Sequence, residues 1–297
     1  MIKIYLILIF LLSIIFLSFI NDIRKNLHSN FIVYETKDND FNFPKFKEER
    51  EIPKIIRRNY GLKDKKSDLK KYEFIFEETK KLDPDIKEEL LFGREEMEKF
   101  ILKYYNQEVL DTINLINPNY AACVSDILRL LVIYAKGGVY MDVKTQIISK
   151  ISDDLELYND KMIVSHFCSI PFVFNGWTQL PPYGEISNWF FAAPRGHPVL
   201  RECILQGLTN IREGYKEREK FTDGRSYVLS MTGPHMITPV IKNSKNYDKV
   251  QVLSSMSPTK FILSGWNGKL RKEAYNLDND AVQKGTHWKQ LNEPLFN

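Results

Sequence analysis

Four charged residues near the middle of the chain could take part in chemistry. Asp126 and Arg129 are three residues apart, and Asp142 and Lys144 follow a pair of glycines. Residues three apart on a helix share a face. Burying an ion pair there costs several kcal/mol of desolvation free energy, and a helix can form without such a pair. Such a pair could bind a charged or hydroxyl-rich ligand. It could equally be a structural ion pair, with Asp142 as an ordinary turn carboxylate.

The segments around these residues predict a buried helix followed by a short strand. Residues 120–135 are apolar on nearly every side, which is typical of a helix that is buried all round. The glycines at 137–138 can end this helix, and residues 139–141 have the composition of a strand. The strand would place Asp142 at its carboxyl end, where open α/β sheets bind ligands.

The rest of the chain predicts alternating strands and helices, which indicates an α/β fold with a single, mostly parallel sheet flanked by helices. The predicted strands are residues 52–56, 72–76, 162–164 and 188–193. The predicted helices are residues 86–92, 95–105 and 199–213. His197 stands among glycine and proline residues, so we expect it to be a turn residue rather than a catalyst.

The composition excludes some classes of partner. The chain has 297 residues, of which 43% are hydrophobic and 27% are charged, and this is an ordinary globular composition for one large domain or two small ones. The net charge of +4 is mild, and acidic residues interrupt the basic run at 63–71, so we expect no nucleic-acid partner. Cys123, Cys168 and Cys203 lack metal-binding spacing.

The amino-terminal segment predicts a membrane anchor. Residues 4–20 are apolar except for two serines, a length at the short end of what crosses a bilayer. A small-residue cleavage site does not follow, which favours a retained anchor over a cleaved signal. We therefore expect a transmembrane anchor at 1–20 and a polar stem at 21–50 in a single-pass, type II protein of the Golgi or endoplasmic reticulum. Basic residues lie on both sides of the span, so the positive-inside rule alone does not determine this orientation.

The central motif resembles the sugar-binding region of glycosyltransferase family thirty-two. Ser125, Asp126 and Arg129 match helix residues that contact the nucleotide-sugar in that family. Asp142 matches the first carboxylate of the family's Asp-x-Asp motif. Lys144 stands where the family has its second carboxylate, which normally binds the metal.

Looser similarities to this family extend over about residues 51–290. Asn188 begins the sequence N-x-F-x-A-x-P-x-G-H-P and matches an asparagine that faces the donor sugar. Thr232 and Gly233 resemble a loop near the acceptor, next to His235. His287 resembles a terminal histidine that closes over the diphosphate.

The resemblance implies a single Rossmann-like, GT-A type domain at residues 51–297 that transfers a hexose from a nucleotide-diphosphate sugar, with retention, to a glycan, glycolipid or glycoprotein. It implies Asp142 and Asn188 as catalytic residues, and it adds Tyr140 to the nucleotide-sugar site. Mn²⁺ or Mg²⁺ would be held by Asp142 and His287.

The lysine at 144 bears on the expected metal dependence. An ammonium group has no lone pair and cannot be a metal ligand, although it can supply part of the positive charge. On an extended segment Lys144 would project to the same side as Asp142, which predicts little need for metal. If Lys144 points away, Asp142 and His287 could still hold manganese.

Two other classes of function fit the same residues. Lys144 could mark an inactive relative that binds nucleotide-sugar or carbohydrate without transferring it, and donor hydrolysis distinguishes the two. In the second alternative, the pair Asp126 and Arg129 is structural in a membrane-tethered scaffold. A scaffold would show no nucleotide-induced rise in melting temperature.

Overall fold

The computed structural model describes residues 34–36, 41–60, 69–70, 72–147, 149–166, 185–253 and 287–297. These residues form a six-stranded sheet packed against helices, which confirms the predicted α/β class. The strands are β1 (Ile55–Tyr60), β2 (Lys87–Phe92), β3 (Gly138–Met141), β4 (Met162–His166), β5 (Ile186–Ala193) and β6 (Val250–Leu253). The helices are α1 (Glu73–Leu82), α2 (Gly93–Tyr104), α3 (Gln107–Ile113), α4 (Ala121–Lys136), α5 (Ser152–Leu157), α6 (Pro198–Lys216), α7 (Val228–Met231) and α8 (Pro234–Asn243).

The strand order in the sheet is β2-β1-β3-β5-β4-β6. β5 runs antiparallel to its neighbours β3 and β4, and the pairs β1–β2, β1–β3 and β4–β6 are parallel. Every strand of this sheet except β5 therefore runs in one direction, as the mostly parallel prediction requires. The carboxyl ends of β1, β3 and β4 consequently lie along one edge of the sheet.

The buried hydrophobic residues form two clusters, and helix α4 is the centre of the larger one, as its apolar sequence predicts. Every residue from Asp126 to Ala135 is buried. The helix ends at Gly137, whose φ of 65° favours glycine and whose backbone N–H donates to the carbonyl of Ile133 at 2.8 Å. A Cβ at Gly137 would lie 2.9 Å from the backbone nitrogen of Arg195. Only glycine therefore allows the chain to leave α4 and enter β3 at this point.

Two elements differ from the sequence prediction. Residues 72–76 were expected to form a strand, but they lie at the start of helix α1. The buried residues Tyr72, Ile75 and Thr79 recur with helical spacing, which outweighs the strand propensity of the aromatic residues. Residues 86–92 were expected to form a helix, but they contain strand β2, because pairing with β1 outweighs the helix propensity of glutamate and leucine.

Strand β1 begins later than predicted and contains two buried arginines. The predicted strand was 52–56, whereas the observed strand continues through Arg57 and Arg58 to Tyr60. The neighbouring strand β2 supplies a carboxylate to each arginine. Arg58 Nη2 lies 2.8 Å from Glu88 Oε1, and Arg57 pairs with Glu89. The two arginines, whose charges suggest in the sequence that the strand has ended, therefore lie inside the sheet.

The folded domain begins before residue 51. Phe41 and Phe43 belong to the larger core cluster, and the backbone N–H of Glu49 donates to the carbonyl of Arg195 at 2.9 Å. The last part of the predicted stem is thus packed on the domain, because its aromatic side chains are buried. The predicted anchor at 1–20 lies outside the described residues. Within the ranges that the structure describes, helices long and apolar enough to cross a membrane are not found.

His197 predicts a dependence of stability on pH. It is fully buried immediately before α6. This burial lowers the pKa of His197 from 6.5 to about 4, although the negative charge of Glu48 acts to raise it. In the unfolded chain, the imidazole of His197 therefore binds a proton below about pH 6.5. In the folded chain it binds that proton only below about pH 4. We expect His197 to stabilise the fold fully above pH 6.5 and to lose about 3 kcal/mol of that contribution as the pH falls to 4.

Urea unfolding of wild type and His197→Leu between pH 7 and pH 4 checks this prediction. The comparison is needed because Asp126, whose pKa is raised by burial, has the opposite effect over the same range. The free energy of unfolding of the variant should fall less than that of wild type as the pH is lowered. Parallel curves for the two proteins would show that His197 does not titrate in this way.

Candidate functional site

The structure brings together four of the residues singled out in the sequence. Asp126 and Arg129 lie on α4, Asp142 directly follows β3, and Asn188 lies on β5. Arg129 Nη2 is 2.9 Å from Asp126 Oδ1, and Arg129 Nη1 is 3.4 Å from Asp142 Oδ1. Asn188 Nδ2 donates to Asp126 Oδ1 at 2.9 Å. We call these four residues the Arg129 cluster.

Arg129 connects the helix to both strands. Its Nε donates to the carbonyl of Ser125 at 3.2 Å, and its Nη1 donates to the carbonyl of Asn188 at 2.6 Å. The guanidinium also lies 4.9 Å from the ring centre of Tyr140. Burial acts to lower the pKa of Arg129, but Tyr140 and the two carboxylates of the cluster raise it above its ordinary value. Arg129 is therefore a permanent buried cation whose contacts hold the cluster in position.

The two carboxylates of the cluster differ in accessibility. The side chain of Asp126 is 7% exposed, whereas that of Asp142 is 26% exposed. Burial raises the pKa of Asp126 to about 7 despite the opposing charge of Arg129, and the charge of Asp142 adds to the rise. Asp126 can thus donate or accept a hydrogen bond near neutral pH. Asp142 is the carboxylate that a ligand can reach from solvent.

Tyr140 orients Asp142 from β3, the strand that Asp142 directly follows. Its hydroxyl donates to Asp142 Oδ1 at 2.8 Å, and its ring stacks on Phe191 with centroids 5.5 Å apart. The backbone N–H of Asp142 donates to the carbonyl of Trp189 at 3.0 Å, which continues the pairing of β3 with β5. Asp142 is therefore fixed through its side chain and its backbone before any ligand arrives.

The segment after Asp142 is a turn, not the extended segment that the sequence argument assumed. The backbone N–H of Thr145 donates to the carbonyl of Asp142 at 2.8 Å. Arg58 Nη1 donates to the same carbonyl at 2.7 Å and to that of Thr145 at 2.8 Å. Lys144 lies inside this turn, so the rule for extended segments does not apply to it, and the placement of its ammonium group beside Asp142 stays a prediction. Sequence reasoning missed Arg58, which follows the predicted strand 52–56 and lies inside the observed strand β1.

Thr232 and Gly233 lie behind Asp126. Thr232 is 1% exposed, its hydroxyl donates to the carbonyl of Cys123 at 3.1 Å, and its proximity acts to lower the pKa of Asp126. A Cβ at Gly233 would lie 3.1 Å from Asp126 Oδ2 and 3.0 Å from the carbonyl oxygen of Leu229. A side chain at position 233 would therefore push against the buried carboxylate. These contacts support Asp126, and the predicted contact of both residues with an acceptor stays a prediction.

His235 and His287 take different places. His235 is buried on α8, with its Nε2 3.3 Å from Glu185 Oε2. His287 is half-buried beside the short 3-10 turn Trp288–Gln290, and its Nδ1 accepts a hydrogen bond from the backbone of Lys289 at 3.2 Å. Nδ1 of His287 is thus occupied by this hydrogen bond and is not available to bind a metal. Among the described residues, groups of three or more His, Cys, Asp or Glu side chains that could hold a metal ion do not occur.

A separate groove of about 1140 Å³ lies away from the Arg129 cluster. It is lined by residues 45–48 and by parts of α6 and α8, and none of its lining residues belongs to the cluster. Tyr134, which lines the groove, is eight residues from Asp126 along α4, or about 12 Å along the helix axis. The candidate site therefore rests on its chemistry and its place at the strand ends, not on cavity size.

Comparisons with known proteins bear on the same region. Residues 18–163, just under half of the chain, match the family model described as glycosyltransferase sugar-binding region containing DXD motif. The search among curated proteins found no match to the chain. Similar solved structures include the PaToxG glycosyltransferase, with 16% identity, coverage of 77% of this chain and 78% of that one, and a TM-score of 0.45. The part of the chain that carries Asp126, Arg129 and Asp142 is therefore similar in sequence to glycosyltransferase sugar-binding regions.

Proposed function

We propose that this protein is a glycosyltransferase that moves a hexose from a nucleotide-diphosphate sugar to a hydroxyl group, with retention of configuration. The observation that carries the proposal is the Arg129 cluster at the carboxyl edge of the sheet. It offers one accessible carboxylate in Asp142, one buried carboxyl group in Asp126 and the amide of Asn188. These groups suit the hydroxyls of ribose and of a sugar. The match of residues 18–163 supports the proposal.

Each residue has a role in this proposal. Asp142 binds the ribose or a metal ion, and Asp126 and Asn188 bind the hydroxyls of the donor sugar. Arg129 holds these three in place and adds positive charge near the leaving diphosphate. The bond between the anomeric carbon and the diphosphate breaks, and the acceptor oxygen bonds to the same face of that carbon. The acceptor's proton leaves with the diphosphate.

A thermal-shift panel tests whether nucleotide-sugars bind. The purified protein is heated with UDP-sugars and GDP-sugars, each with and without manganese. A ligand that binds only the folded state stabilises it by about 2.7 kcal/mol at a hundred times its dissociation constant, so at least one donor should raise the melting temperature. If every donor leaves the melting temperature unchanged, the cluster is structural, as in the scaffold alternative.

Binding without transfer is a second candidate function, and the lysine at position 144 favours it. In this case a nucleotide-sugar would raise the melting temperature, but the protein would release neither sugar nor diphosphate product. Donor hydrolysis by the purified protein separates the two functions.

The metal requirement is a further prediction from Lys144. The turn at Lys144 removes the extended-segment argument, so this prediction rests on the residue type alone: an ammonium group supplies positive charge and cannot be a metal ligand. We expect transfer or donor hydrolysis to persist in excess EDTA, and Lys144→Asp should gain dependence on manganese. Adding magnesium in excess of EDTA serves as the control for removal of other ions. Complete loss of wild-type activity in EDTA, restored by manganese, would show an ordinary metal-dependent site at Asp142.

The proposal also includes a membrane anchor at residues 1–20, with acceptors on glycans, glycolipids or glycoproteins in the Golgi or endoplasmic reticulum. We expect these residues to remain on the mature protein, because a cleavage site is lacking. Amino-terminal sequencing of native protein checks this, and an amino terminus near residue 21 would show a cleaved signal. A truncated chain for activity work should begin before Phe41, because Phe41 and Phe43 are buried in the core.

A further inference from the structure

Asn59 is a buried amide whose polar atoms have no partner in the described part of the chain. It lies one residue before the end of β1 and is 8% exposed. Neither its Oδ1 nor its Nδ2 makes a hydrogen bond there. Buried amides are nearly always paired, because burial without a partner loses hydrogen bonds to water. The amide of Asn59 can therefore hydrogen-bond to a polar group that the described residues do not supply.

Asn59 faces the side of the sheet on which the Arg129 cluster lies. Side chains two residues apart on a strand share a face, so Asn59 projects to the same side as Arg57. Arg57 Nε donates to the carbonyl of Gly137 at the end of α4, at 2.8 Å, which identifies this side as that of α4. Arg57 pairs with Tyr140 in the parallel register of β1 and β3. Continuing that register by two residues sets Asn59 beside Asp142.

The three adjacent strands β1, β3 and β5 thus present polar side chains in a row. Asn59 lies on β1, Asp142 directly after β3 and Asn188 on β5. Neighbouring strands are about 4.8 Å apart, so the row spans about 10 Å. If the sugar lies at Asn188 and the ribose or diphosphate at Asp142, the nucleoside extends towards β1. This step rests on the proposed function.

We propose that Asn59 binds the nucleobase of the donor and contributes to nucleotide specificity. A carboxamide offers one donor and one acceptor in a plane, which pairs with a base edge that carries an acceptor beside a donor. Two more buried polar atoms without a partner in the described chain belong to segments near the same strand ends, Gln146 Nε2 and Ser187 Oγ. Several buried polar groups near the Arg129 cluster therefore lack hydrogen-bond partners among the described residues, and a polar ligand can supply such partners.

The test compares Asn59→Leu with Thr209→Val. Thr209 Oγ1, on α6, is also buried without a partner among the described residues, but it lies outside the row of strand ends. Melting temperatures and dissociation constants are measured with UDP, GDP and inorganic pyrophosphate. Both variants should keep or exceed the wild-type melting temperature without ligand. Only Asn59→Leu should weaken binding of the preferred nucleotide, by at least about tenfold, with pyrophosphate affinity unchanged. Asn59→Ala, which removes the amide without adding bulk, should behave in the same way.

Three outcomes would overturn the inference. If Asn59→Leu and Asn59→Ala both bind nucleotide as tightly as wild type, the partner of Asn59 is water or another part of the chain. If the variants lose pyrophosphate and nucleotide affinity equally, Asn59 does not bind the base. If wild type binds neither nucleotide, the proposed function itself fails, and this result is distinguishable because it does not depend on any variant.

Discussion

Asp142→Asn should reduce transfer by at least about a hundredfold, in the range seen when one charge-stabilising group is removed from an active site. The protein should remain folded. Asp142 directly follows β3 with a quarter of its side chain exposed, and its contacts with Tyr140 and Arg129 both use Oδ1. An asparagine oxygen can still accept from Tyr140, so the variant loses mainly the negative charge. Transfer and melting temperature are measured on the same preparation.

Asp160→Asn is the matched control for this variant. Asp160 is also paired with an arginine, since Arg50 Nη2 lies 2.9 Å from its Oδ2, but it lies in the turn before β4. Its positive φ of 68° is one that asparagine tolerates. Asp160→Asn should transfer sugar at the wild-type rate. Activity of Asp142→Asn within a few-fold of wild type would remove Asp142 from the proposed site.

Arg129→Lys should have the largest effect on stability and should also abolish donor binding. A lysine has one ammonium group and cannot reproduce a planar fork that contacts groups on α4, β3 and β5 together. Asp126 would be left buried with its partner displaced. Breaking a buried ion pair costs about 3–5 kcal/mol, and we expect a loss of this size in the free energy of unfolding. Urea unfolding measures it.

Two further variants show whether the ion pair causes this loss. Arg94→Lys changes an exposed arginine that pairs with Glu98 on α2, and it should cost less than about 1 kcal/mol. Adding Asp126→Asn to Arg129→Lys should recover part of the stability, because the buried carboxylate is then removed with its partner. Unchanged stability of Arg129→Lys, or strictly additive losses in the double variant, would contradict the account of the cluster.

The central helix and strand could be predicted because their signals are local. A helix that is apolar on all sides has to be buried, and two successive glycines permit the backbone angles that end it. Asp142 follows from these elements, since it directly succeeds the strand. The opposite charges three apart in α4 indicated a functional or structural pair, and the structure shows that Asp126 and Arg129 do contact each other.

The edge strand β2 could not be predicted, because the residues that stabilise it as a strand lie far from it in the chain. Residues 87–92 have the composition of a helix, yet they pair with β1 and neutralise its buried arginines. Neither Arg57 nor Glu89 indicates the other until the two strands are known to be neighbours. The turn held by Arg58 was missed for the same reason, and with it the position of Lys144.

The support behind the cluster was also hidden in the sequence. Thr232 and Gly233 are more than 100 residues from Asp126, and their place was assigned by resemblance to an acceptor loop. The need for glycine at 233 is steric, since a Cβ would crowd Asp126 Oδ2, and a steric need of this kind is visible only in three dimensions. The buried amide of Asn59, which has no hydrogen-bond partner among the described residues, is likewise visible only in three dimensions.

A crystal structure of the protein with the nucleotide-sugar that most raises its melting temperature would test the central claim most directly. The account predicts that the donor lies across the ends of β5, β3 and β1. Its sugar should contact Asp126 or Asn188, and its ribose or a bound metal ion should contact Asp142. A donor bound in the groove between residues 45–48 and helices α6 and α8, with no contact to the Arg129 cluster, would contradict the account.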